Sequence, residues 1–162
     1  MLIFGREVPS TKDIAELVSC VMHNDGIWQK SKFKESAKLC GFKRINERKS
    51  GYFSLAIFEY ATGQAIIASD VIEEIRIFIG SEPADLDMDS FEKDQKKAGV
   101  LAKEYIKALE ETLGHPRQSN SNSIFELRHL RVRVLAPQPV WVVISNLNVI
   151  KALDRDYWPK NA

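Results

Sequence analysis

From Phe42 to Ile79 the chain alternates short apolar segments with tight turns, and this stretch does most to limit the folds open to it. Phe42 to Asn46 is followed by a turn near Lys49-Ser50-Gly51. Tyr52 to Tyr60 is rich in aromatic and β-branched residues. Val71 to Ile79 sets Ile75, Ile77 and Ile79 in alternation with Arg76 and Phe78. Between them, Gln64 to Ser69 reads as a strand returning from a hairpin turn at Ala61-Thr62-Gly63. Segments joined this closely pair antiparallel, because a parallel crossover needs a dozen or more residues. The stretch predicts a β-meander.

The flanks predict helices and a second hairpin. Ser10 is placed to cap a helix with Asp13 three residues on, and Ile14, Leu17, Val18, Val21 and Met22 follow at helical spacing. Ser31 to Cys40 predicts a second helix, stopped by Gly41. Asp89, with Glu92 three residues later, predicts the N-cap of a long helix reaching Leu113, where Gly114 and Pro116 end it. Its stripe is Ala98, Leu101, Ala102, Tyr105, Leu109 and Leu113. Gly99 within it costs about 1 kcal/mol relative to alanine, which suggests close approach to the sheet. Glu126 to Leu135 alternates Leu130, Val132 and Val134 with Arg131 and Arg133. Pro137-Gln138-Pro139 turns the chain into an apolar strand, Val140 to Ser145, and Val149 to Trp158 predicts a terminal helix. Residues 2–4 are read as a short strand.

Together these segments predict one α+β domain over residues 1–162. An antiparallel sheet of about five to six strands, meander plus C-terminal hairpin, packs on the long helix with two helices at the N-terminus. A chain of 162 residues buries enough surface to need no metal or disulfide. Cys20 and Cys40 are read as two reduced thiols. No apolar run approaches the ~20 residues of a membrane helix, and the expected location is cytoplasmic.

Catalytic signatures are not found in the sequence. His23, His115 and His129 belong to no His-x-Glu or His-Glu-x-x-His pattern, and there is no Cys-x-x-Cys or Gly-x-Ser-x-Gly. The alternating carboxylates Asp85, Asp87 and Asp89 resemble a calcium loop only in part: Phe91 stands where that loop needs glycine, and Lys96 where it needs glutamate. Asp70 followed by Glu74-Ile75-Arg76 resembles the Asp…Glu-x-Lys arrangement of metal-dependent nucleases, with arginine in place of lysine. An enzyme built around Asp70 and Glu74 is therefore one hypothesis, but no cofactor or metal is expected.

Charge is segregated along the chain. Residues 30–49 carry eight basic side chains against two acids, and residues 70–94 carry nine acids against two bases. Opposed fields of this kind steer charged partners. The expected function is a cytoplasmic protein-binding module that neutralises or escorts a partner with a basic surface, without catalysis. Its acidic side chains would be Asp70, Glu73, Glu74, Glu82, Asp85, Asp87 and Asp89. Size, element order and lack of motifs make the chain similar, at fold level only, to small secretion chaperones and to immunity proteins of bacterial toxin systems. The alternative is a nucleic-acid-binding regulator using Lys32, Lys34, Lys38, Lys43 and Arg44. The order helix, turn, helix, hairpin over residues 11–60 resembles a winged helix, and Trp28, Phe33 and Phe42 interleave with the lysines. Tyr157-Trp158-Pro159 is a candidate aromatic anchor.

Overall fold

A computed structural model describes residues 2–3, 6–58, 61–80, 88–116, 123–127, 129–135 and 140–149. Two short strands, β1 (Leu2–Ile3) and β2 (Arg6–Glu7), pair with each other. Helix α1 (Thr11–Met22) follows, then two 3₁₀ turns (Asp25–Trp28 and Lys30–Lys32), then α2 (Phe33–Leu39). The meander is β3 (Phe42–Arg48), β4 (Tyr52–Ile57), β5 (Ala61–Ala68) and β6 (Val71–Ile79). Helix α3 (Met88–Leu113) leads to β7 (Ser123–Leu127), β8 (Leu130–Leu135) and β9 (Val140–Asn146).

The fold is α+β, as expected. Its main sheet has seven strands in the order β3-β4-β5-β6-β9-β8-β7, every pairing antiparallel. The strand beyond the expected number arises because Glu126 to Leu135 is not one strand. The chain reverses direction between Leu127 and Leu130, which pair with each other, so that Glu126 pairs with Arg131 and Ser123 with Val134. The expected hairpin turn at Ala61-Thr62-Gly63 lies inside β5 instead. Gly63 is needed there for space, since a Cβ would sit 2.5 Å from the Arg76 carbonyl oxygen on β6. Of the terminal helix expected over Val149 to Trp158 only Val149 is among the described residues, and the Tyr157-Trp158-Pro159 anchor and the acidic segment 81–87 fall outside them.

One face of the sheet carries the core. Ile75, Ile77 and Ile79 of β6 and Val140, Val142 and Ile144 of β9 pack with Ile14, Leu17, Val18 and Val21 of α1, with Phe33 and Ala37 of α2, and with Ala98, Leu101, Ala102, Tyr105 and Leu109 of α3. Tyr105 is fully buried, and its hydroxyl donates to the Pro9 carbonyl at 2.7 Å, tying α3 to the entry of α1. Burial pushes that phenol well above its ordinary pKa. Ser10 caps α1 as expected, accepting from the Asp13 amide at 3.1 Å. Helix α3 begins at Met88, which places Asp89 in its first turn rather than at the N-cap, where its charge still complements the helix dipole. Nothing approaches within 4 Å of a Cβ built at Gly99, so close approach to the sheet does not explain that glycine.

The cysteines are bonded to each other, contrary to the two free thiols expected. The last turn of α1 meets the residue that caps α2, with the Cα atoms of Cys20 and Cys40 5.6 Å apart, inside the usual disulfide range. A separation of 20 residues in sequence says nothing about such proximity until the α1–α2 connection is folded. Closing a loop of this length restricts the unfolded chain by about 3 kcal/mol in the chain-entropy account.

The two glycines predict opposite outcomes. Gly63→Ala forces β5 and β6 apart and lowers stability by about 1–3 kcal/mol. Gly99→Ala relieves the helix of its most flexible residue and raises stability by up to about 1 kcal/mol. Urea unfolding of the two variants beside the parent checks both signs.

Candidate interaction surface at the α2–β3 corner

Helix α2 is seven residues long. Phe33 and Ala37 turn inward, and the Phe33 ring stacks on Phe53 of β4 with centroids 4.7 Å apart. That choice of inner face leaves Lys34 and Lys38, four residues apart, on the outer one. Lys32 precedes them on the 3₁₀ turn and is also exposed. The helix packs on β3, an edge of the seven-stranded sheet. An edge strand offers unpaired backbone groups to other chains, and charge and bulges guard against that. In β3 only Phe42 is buried, the register slips between Lys43 and Asn46, and Arg44 takes a left-handed φ of 49° with its carbonyl held by the Asn46 amide at 3.2 Å. Lys43 and Arg44 are therefore exposed beside α2. The structure brings the five predicted cations, Lys32, Lys34, Lys38, Lys43 and Arg44, to one corner.

A cleft of about 520 Å³ opens next to it, lined by Gln29, Lys30, Ser31, Lys34, Glu47, Phe53, Asp70 and Val71. Gln29 bridges to Val71, and the Lys30 amide donates to the Asp70 carbonyl at 3.0 Å. Lys30 also reaches Glu47 at 3.5 Å across the solvent-facing rim. The blocks that oppose each other in sequence meet here, so Asp70 belongs to the edge of the basic corner.

The remaining described acids do not join it. Asp89 lies in the first turn of α3, a different element from the β5–β6 turn that carries Asp70. Glu74 is 3% exposed on the sheet face opposite the core. It receives the Arg76 Nε at 2.9 Å and faces Arg133 at 3.7 Å, while Glu126 pairs with Arg131 at 2.8 Å. Arg133 is drawn down to about 10, chiefly by burial, with Arg131 and Arg76 adding to the shift and Glu74 opposing it. Glu73, half-buried, has its carboxyl raised by desolvation and then by the neighbouring Glu74. Phe78 and Trp141 meet edge to face at 4.8 Å on that same side of the sheet. Glu82, Asp85 and Asp87 lie outside the described residues.

Asp70 sits exposed at the β5–β6 turn while Glu74 is engaged by arginines, so the two do not form the carboxylate pair of a nuclease-like site. No group of three His, Cys, Asp or Glu among the described residues could hold a metal ion. His23 caps α1, with its Nδ1 2.7 Å from the Ser19 carbonyl oxygen, while His115 and His129 lie on other segments. Trp28, Phe33 and Phe42, expected to interleave with the lysines, are buried in the core. The β3–β4 hairpin continues into the seven-stranded sheet instead of forming a separate wing. The sequence reading missed the cleft and the Glu74–Arg76–Arg133 cluster. Glu74 and Arg76 are two apart in one strand and so share a face, but Arg133 joins them only through the pairing of β6, β9 and β8. No helix among the described residues is long and apolar enough to cross a membrane. No protein-family model matches the chain, and neither curated proteins nor solved structures yield a significant match.

Two substitutions probe this electrostatic arrangement. Glu74→Ala removes a buried carboxylate that faces Arg76 and the buried Arg133 and costs about 3 kcal/mol, read by urea unfolding. Glu73 has a raised pKa in the fold, so the folded state holds its proton more tightly, and stability falls as pH rises through that pKa. Glu73→Gln removes this loss. Its stabilising effect is expected near neutral pH and disappears once acid protonates the carboxyl in both states, as thermal unfolding across pH will show.

Proposed function

We propose that the chain is a protein-binding module that neutralises or escorts one partner and engages acidic side chains of that partner through the α2–β3 corner. The observation that carries this reading is that five exposed cations come from a 3₁₀ turn, α2 and β3, which follow one another beside a cleft. The acids expected to bind a basic partner supply no comparable surface among the described residues, since Glu74 is buried, Glu73 is half-buried, and Asp70 at the β5–β6 turn and Asp89 in the first turn of α3 lie on different elements. The protein-binding expectation is kept, with the surface moved and the sign of the partner reversed. Exposed charge of one sign raises association rate and selects partners, with a strong dependence on ionic strength.

The same cations support a second reading, duplex nucleic acid. Burial of Trp28, Phe33 and Phe42 removes the stacking platform that single strands require, so the nucleic acid in this reading is a duplex. Affinity capture from native cells, with and without nuclease, decides between them. The expected result is one stoichiometric protein retained at moderate salt after nuclease treatment and lost by a variant with Lys32, Lys34, Lys38, Lys43 and Arg44 all changed to Glu. A complex that survives this charge reversal rejects the corner. Retained duplex whose log affinity falls with log salt at a slope of about −5 establishes the second reading.

A further inference from the structure

We propose that the Cys20–Cys40 bond is a redox-controlled clasp on the basic corner, closed when oxidised and releasing the α2–β3 junction when reduced. This inference rests on the binding role assigned to that corner. Three observations carry it. Helix α2 is seven residues long, too short to persist on its own, and no side chain caps its start. Phe33, Ser36 and Ala37 anchor its inner side, but its last two residues are not anchored: Lys38 is exposed and Leu39 is 77% exposed. The bond joins that end to α1 at Cys40, the residue between Lys38 and the pair Lys43 and Arg44. Besides the bond, the end of α2 is held by the Asn24 amide, which donates to the Ser36 carbonyl at 3.2 Å and contacts the Cys40 sulfur at 4.0 Å.

Both cysteines are partly exposed, so a reductant can reach them. The step is ordinary thiol–disulfide exchange with a dithiol. A thiolate of the dithiol attacks one sulfur, breaking the Cys20–Cys40 bond and forming a mixed disulfide. Its second thiol then displaces the protein sulfur and leaves as the oxidised cyclic disulfide. Two electrons and two protons end on Cys20 and Cys40. Ile27, Trp28, Phe33 and Ala37 remain buried in the core, which confines the loosening to the end of α2 and the start of β3. Lys38, Lys43 and Arg44 then lose their fixed relation, and the corner binds an acidic surface less well.

The test compares the full chain purified without reductant, the same protein after dithiothreitol, and a Cys20→Ser, Cys40→Ser variant. Amide hydrogen exchange is read by mass spectrometry, and binding is read with a fluorescent polyglutamate peptide. Reduction and the double variant are expected to speed exchange over residues 36–44, leave β5, β6 and β9 protected, and weaken peptide binding several-fold. Unchanged exchange over 36–44 overturns the clasp. So does faster exchange throughout the sheet, which would make the bond a general staple. Thiols alkylated in full before any reductant is added overturn it as well. If neither form binds the peptide while exchange over 36–44 still responds to reduction, the binding role of the corner fails and the redox-sensitive junction stands.

Discussion

The pairing of β6 with β9 is the interaction on which the rest of the structure depends. It joins the four-stranded meander β3–β6 to the three strands β7–β9, matching Ile75, Ile77 and Ile79 with Ile144, Val142 and Val140. These positions are more than sixty residues apart in sequence, with α3 between them, so the ladder must close a long loop before its hydrogen bonds and side-chain contacts are gained. Without it there would be two smaller sheets, each with an additional edge, and neither would offer a face wide enough to bury α1 and α3 together. The same register sets the opposite face. Glu74 lies across from Ser145, and Arg76 from Val143, which in turn pairs with Arg133. A single carboxylate thereby serves two guanidinium groups across three strands.

This explains how far the fold could be read from the amino acids. Alternation in Val71 to Ile79 and in Leu130 to Leu135 announces strands with two unlike faces, and the cap at Ser10 and stop at Gly114 bound helices by chemistry confined to a few residues. Local signals were less secure where the reason for a residue lies on another strand. Gly63 looks like turn chemistry in sequence, but it answers to the Arg76 carbonyl of β6. A single alternating run from Glu126 to Leu135 conceals a reversal, because both arms of a hairpin carry the same period. The disulfide was illegible for the same reason: nothing in the separation of Cys20 and Cys40 reveals that the end of α1 turns back on the end of α2.

The charge blocks show the limit most clearly. A run of acids in sequence becomes a surface only if the elements carrying it present one face together. Residues 70–94 span a turn, a buried strand, a segment outside the described residues and the start of a helix. Their charges accordingly divide: Asp70 is beside lysines, Glu74 lies under arginines, and Asp89 is at a helix start. Residues 30–49 stay together because a short helix and the next strand pack directly on each other at the edge of the sheet. Basic character there has a structural reason independent of any partner, since Lys43, Arg44 and the bulge discourage further strands from adding to β3.

Edge protection alone does not account for the whole corner. It requires charge on β3, but it asks nothing of Lys32, Lys34 and Lys38, which lie on a different element. Like charges gathered this way repel one another, and proteins that gain nothing from such a cluster have no reason to keep it uncompensated. Glu47 is taken up by Lys30 and Asp70 lies at the cleft mouth, which leaves Glu35 as the one acid on α2 itself, beside Lys34 and Lys38. The segment that carries these lysines is also the one closed by the only disulfide seen among the described residues. A surface whose charge exceeds the needs of its fold, held in place by a bond that reductants can reach, has its electrostatics and its rigidity controlled at the same point in the chain.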